Sequence, residues 1–169
     1  MKCFALCEAF FILIKIFTMP KTSTAKKSVS KKDKPLIKYA DKSEGQPEMV
    51  EIFNRLKALF LPYEKGSIKV HGGEGGQIIL ISYKPVEIQG RKRAELWFVS
   101  ALIQKGYVGF YYMPVYGYAE LGKQIHPELM KCLKGKACFH IKKNDDVLFK
   151  QIEEAIEIGY NHYKKLGWV

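Results

Sequence analysis

The apolar positions of this chain change rhythm along its length, and each change marks an element. Beyond residue 46, Met49, Ile52, Phe53, Leu56, Leu59 and Phe60 recur at helical spacing, with Glu48, Glu51, Arg55 and Lys57 between them. Pro47 suits a first helical turn, where no backbone donor is missed, and Pro62 stops the run. The spacing predicts an amphipathic helix with one core face. The period then falls from about 3.6 residues to about 2. Residues 67–71 (SIKVH), 77–84 (QIILISYK), 94–103 (AELWFVSALI) and 107–113 (YVGFYYM) read as strands. Between them stand Gly72-Gly73-Glu74-Gly75-Gly76, Gly90 and Lys105-Gly106. Connections this short join antiparallel neighbours, so a meander is expected, with residues 85–93 adding a bulged turn or a short strand.

An aromatic loop, MPVYGYAELGK, follows the strands. His126-Pro127-Glu128 opens a short helix, HPELMKCLK, which Gly135 is expected to close in the left-handed conformation. Residues 137–141 (ACFHI) read as one more strand. Asn144 or Asp145 caps a long last helix, with Leu148, Ile152, Ala155, Gly159, Tyr163 and Leu166 on one face. The pattern predicts an α+β fold: an antiparallel central sheet of about five strands, an N-terminal amphipathic helix and C-terminal helices.

The front of the chain follows neither rhythm. Residues 4–17 (FALCEAFFILIKIF) are apolar, but Glu8 and Lys15 interrupt them. The stretch is shorter than the roughly 20 residues a membrane span needs, so no integral span is expected. Met19-Pro20-Lys21 then opens a Lys/Ser/Thr segment resembling a natural start, which makes residues 1–18 a leader and a candidate mis-assigned extension. Residues 19–46 form a basic tail. Residues 20–44 carry no apolar period and are expected to stay disordered, touching polyanions, nucleic acid included, without specificity. The folded unit is expected over residues 47–169.

Charge sharpens this division. The 169-residue chain has a net charge of +11. Residues 1–44 hold ten lysines against four acids, so more than half of the excess lies in the front quarter. The folded part is only moderately basic, which argues against a dedicated nucleic-acid domain. Hydrophobic residues make up 47% and aromatic residues 13%, enough for a core packed by rings. Four cysteines are too few for a disulfide scaffold, and reduced thiols in a cytoplasmic setting are expected.

The second half resembles the YdhG-like domain family, a bacterial group of unknown function. The resemblance rests on YVGFYYMPVYG (residues 107–117), HPELMKCLKGKACFHIKK (residues 126–143) and IEEAIEIGYNHYKKLGW (residues 152–168). It implies a small cytosolic α+β domain. Some members of that family are described as frataxin-like iron chaperones, which makes iron the cofactor to consider, and it implies no catalytic residues.

No catalytic motif stands out. HGGEGGQ lacks the lysine of a P-loop, no HExxH occurs, and Cys132, Cys138 and His140 match no zinc spacing. The candidate ligand-binding residues are Tyr112, Tyr116, Tyr118, Lys134, Lys136, His140 and Lys142. Tyrosines beside lysines suit an anionic small molecule, a protein partner or single-stranded nucleic acid. Iron prefers oxygen donors, and Asp145, Asp146, Glu153, Glu154 and Glu157 are the carboxylates that could supply them. The expected role is a non-enzymatic ligand- or partner-binding domain, with iron handling as the alternative.

Overall fold

The computed structural model describes residues 39–88 and 90–169. The leader at 1–18 and residues 19–38 of the basic tail lie outside the described residues. Residues 39–46 are described, and the Tyr39 hydroxyl donates to the Ile103 carbonyl at 2.8 Å. Helix α1 (Pro47–Phe60) forms where the spacing predicts it and buries Met49, Ile52, Phe53, Leu56 and Phe60. A short 3-10 turn at Leu61–Tyr63 carries Pro62 and ends it.

Eight strands follow: β1 (Ile68–Gly72), β2 (Gln77–Ser82), β3 (Val86–Ile88), β4 (Arg91–Arg93), β5 (Leu96–Gln104), β6 (Tyr107–Tyr112), β7 (Leu133–Lys134) and β8 (Cys138–Ile141). Six of them make one antiparallel sheet in the order β1-β2-β5-β6-β8-β7, and β3 and β4 pair as a separate hairpin. Helix α2 (Met113–Gly117) and α3 (Pro127–Lys131) lie between β6 and β7, and α4 (Asp146–Lys165) closes the chain. No described helix is long and apolar enough to cross a membrane.

The core lies between one face of the sheet and the helices. Ile78 and Leu80 of β2, Val108, Phe110 and Tyr112 of β6, and Phe139 and Ile141 of β8 join the buried residues of α1 and α4 there. The alternation breaks once. Leu80 pairs with Val99 but Ile81 pairs with Trp97, which leaves Phe98 as an extra residue on β5. This bulge lets the consecutive Phe98 and Val99 both enter the core and re-aims the strand at Trp97.

Helix α4 approaches the sheet closely at Gly159. A Cβ there would lie 2.4 Å from the Tyr112 hydroxyl and 2.7 Å from Pro114. The Tyr112 hydroxyl, buried in that gap, donates to the Ala155 carbonyl at 2.6 Å. Arg55 ties the first helix to the last: it bonds Asn144, reaches Asp146 at 2.8 Å and lies 4.0 Å from the centre of the Phe149 ring.

The sequence reading needs local corrections. The segment from Met113 winds into α2 rather than a loop, with Pro114 in its first turn. The short helix stops at Lys131, and Leu133 and Lys134 become an edge strand paired with β8. Gly135, at φ +85°, therefore turns a hairpin and does not cap a helix. Residues 86–88 and 91–93 pair as a small hairpin, and the main sheet has six strands, in keeping with the expected count of about five.

Candidate functional site: an aromatic cleft and a lysine groove

Two recesses flank α4. The larger is a cleft of about 920 Å³ between the β3–β4 hairpin, α2 and the end of α4. Five aromatic side chains line it: Trp97, Tyr116, Tyr118, Tyr163 and Trp168. The hairpin and its exit contribute Lys92, Arg93, Glu87 and Glu95.

Local structure places each ring. The β5 bulge sets Trp97. The Tyr163 hydroxyl donates to the Trp97 carbonyl at 3.1 Å, joining α4 to β5. The chain end is held by the Ser82 hydroxyl, which donates to the Trp168 carbonyl at 2.7 Å, and by the Trp168 amide, which bonds the Tyr163 carbonyl at 2.9 Å. The Trp168 ring packs edge-on to Tyr163 at 5.3 Å and tilted on Tyr118 at 5.8 Å. Tyr163 is buried, which pushes its phenol well above the usual range. Tyr116 is 57% exposed at the rim, with the Lys136 ammonium 5.8 Å from its ring centre.

The smaller recess, about 620 Å³, lies between α3, the β7–β8 hairpin and the start of α4. Lys131, Lys134, Lys142, Lys143 and His140 line it, with Glu128, Asp145 and Gln151. Glu128 is bound to Lys131 at 2.5 Å, and that ammonium holds its carboxyl below the usual range. The His140 ring stacks on Tyr107 at 3.9 Å. Burial, then the Lys142 and Lys134 charges, keep its imidazole below its ordinary pKa.

No protein-family model, curated protein or solved structure matches this chain. The geometry alone therefore ranks the sequence-derived candidates.

The two recesses divide residues that the sequence groups together. Tyr116 and Tyr118 line the aromatic cleft, whereas Lys134, His140 and Lys142 line the lysine groove. Lys136 reaches the cleft only through Tyr116. Tyr112 belongs to neither recess; its side chain is fully buried against α4. Among the carboxylates, Asp145 caps α4 by accepting from the Leu148 amide at 2.8 Å, and Asp146 pairs with Arg55. Glu153, Glu154 and Glu157 are exposed further along α4, two to three turns from Asp145 and Asp146. Among the described residues no group of three or more His, Cys, Asp or Glu side chains could hold a metal ion.

The two thiols among the described residues differ in setting: Cys132 is part of the lining of the lysine groove, and Cys138 lines neither recess. Cys138 lies beside Tyr111, and burial followed by that neighbour pushes the Tyr111 phenol up to about 12. Cys132 is half-buried, and its thiol points at the Glu128 carbonyl, 4.0 Å away.

Sequence reasoning missed Trp97, Trp168, Lys92, Arg93 and Gln151. The run Arg91-Lys92-Arg93 beside Gly90 was a readable signal for a basic hairpin. The role of Trp97 depends on a bulge that strand periodicity hides.

Proposed function

We propose that this protein is a non-enzymatic binding domain of the YdhG-like kind, and that its ligand is a planar small molecule held in the aromatic cleft. One observation carries the reading: both tryptophans of the chain line the same cleft, beside three tyrosines. Aromatic walls supply a large contact area to a flat ligand at small cost in side-chain entropy. The cleft volume lies within the roughly 300–1,000 Å³ that small-molecule sites occupy. Lys92, Arg93, Glu87 and Glu95 offer polar groups of both signs at one wall, which suits a ligand with polar substituents around an apolar plane.

The proposal is tested by thermal shift of the full chain with adenosine, nicotinamide and benzoate. A ligand that binds the folded state alone raises the melting temperature. Stacking in a cleft persists at high salt, whereas a contact made by the basic tail weakens steeply. Tyr116→Ala, at the exposed rim, should weaken binding without unfolding the protein. No shift with any of the three compounds, or shifts that high salt abolishes, would overturn the reading.

A further inference from the structure

The lysine groove shares no lining residue with the aromatic cleft. Gln151 and Tyr163 lie twelve residues apart on α4, about 18 Å along its axis. The groove therefore stands or falls independently of the cleft.

Its charge is not balanced internally. Lys131 is taken up by Glu128, and Asp145 is engaged by the Leu148 amide. Lys134, Lys142 and Lys143 have no carboxylate within ion-pair distance among the described residues. The first turn of the 20-residue helix α4 opens on the same groove, adding the positive end of its dipole.

A second observation is of a different kind. Gln151 lines the groove yet is only 7% exposed, and its Oε1 is buried with no hydrogen-bond partner among the described residues. A buried acceptor left unpaired is costly, and groups of this sort are normally satisfied. Rotating the Gln151 carboxamide turns that oxygen toward the groove, where a ligand reaching past the lysines can supply the missing donor.

We infer that the groove binds a phosphorylated small molecule that carries a hydroxyl near its phosphate. Lys134, Lys142 and Lys143 take the phosphate, and the Gln151 carboxamide oxygen accepts from the hydroxyl. The Glu128 and Asp145 carboxylates stand in the same lining. They would repel an extended polyanion laid along the groove, while a compact phosphate fits among the ammonium groups.

The test is calorimetric titration of the full chain with ribose 5-phosphate, inorganic phosphate and a single-stranded oligonucleotide. Ribose 5-phosphate should bind more tightly than inorganic phosphate by about tenfold, the worth of one buried hydrogen bond. Gln151→Leu should erase that preference and leave phosphate binding unchanged. It should also raise the melting temperature of the free protein, because it removes an unpaired buried acceptor. Lys142→Ala, at an exposed position, should weaken both phosphate ligands equally. The inference is overturned if ribose 5-phosphate shows no heat at millimolar concentration. It is equally overturned if Lys142→Ala leaves its binding intact, if Gln151→Leu preserves the preference, or if only the oligonucleotide binds.

Discussion

At the scale of single residues, the tightest constraint lies where α4 meets the sheet. Gly159 leaves no room for a methyl group against the Tyr112 hydroxyl. Gly159→Ala should therefore destabilise the protein by about 1–3 kcal/mol, despite its gain in helix propensity, because the helix must move off the sheet. Tyr112→Phe removes the bond to the Ala155 carbonyl and should cost about 1 kcal/mol. Urea denaturation of the two variants checks both values, and a neutral or stabilising Gly159→Ala would contradict the packing described. Both residues show the limits of sequence. Gly159 was placed on the core face by spacing alone. Tyr112 was grouped with Tyr116 and Tyr118 beside the lysines, yet it ends strand β6, where its ring alternates inward with Val108 and Phe110.

Two histidines give stability a pH dependence of defined sign. Burial, then Lys142 and Lys134, lower the pKa of His140; burial, then Lys165, lowers that of His162. The buried Nε2 of His162 has no partner among the described residues. Below the ordinary histidine pKa of about 6.5 the unfolded chain binds protons that the folded chain does not, so folding is penalised as pH falls. The urea midpoint should hold above neutrality and decline on acidification toward pH of about 5.5, still above the carboxylate range. His162→Gln should flatten part of that decline. A midpoint that rises over the same interval would contradict partly buried rings held below the ordinary histidine pKa.

At the scale of elements, the clamp between α1 and α4 and the β3–β4 hairpin make opposite predictions. Arg55 bridges the helices through Asp146, Asn144 and the Phe149 ring, with its side chain 34% exposed. Arg55→Ala should cost about 1 kcal/mol, more than an ordinary surface pair, because charge and ring contact are lost together. The hairpin stands outside the six-stranded sheet, and Lys92 and Arg93 are exposed. Replacing both with alanine should leave stability within about 0.5 kcal/mol while weakening a polar ligand in the cleft. Calorimetric unfolding beside ligand titration separates the two effects. The long elements were legible: a buried face repeats along α1 and α4, and β2, β5 and β6 are apolar runs bounded by turn residues. The short ones were not. Residues 113–117 are too few to show a helical period, and Leu133-Lys134 joins the sheet only because β8 offers it an edge.

At the scale of the molecule, the fold class was legible and the site only half so. The aromatic and basic residues that run together in sequence from Tyr112 to Lys142 are sorted by the sheet into a core position, an aromatic cleft and a lysine groove. The cleft is completed by residues from the hairpin and the chain end, far away in sequence, which no local pattern could have joined to Tyr116 and Tyr118.

Intrinsic fluorescence tests the central claim most directly, because Trp97 and Trp168 are the only tryptophans and both line the cleft. Titrating the full chain with adenosine, nicotinamide and benzoate should quench or shift the emission for any compound that raises the melting temperature. Tyr116→Ala should move the emission and stability responses to higher concentration together. Stabilisation by a compound that leaves the emission unchanged, or a flat emission across the whole panel at millimolar concentration, would contradict the account.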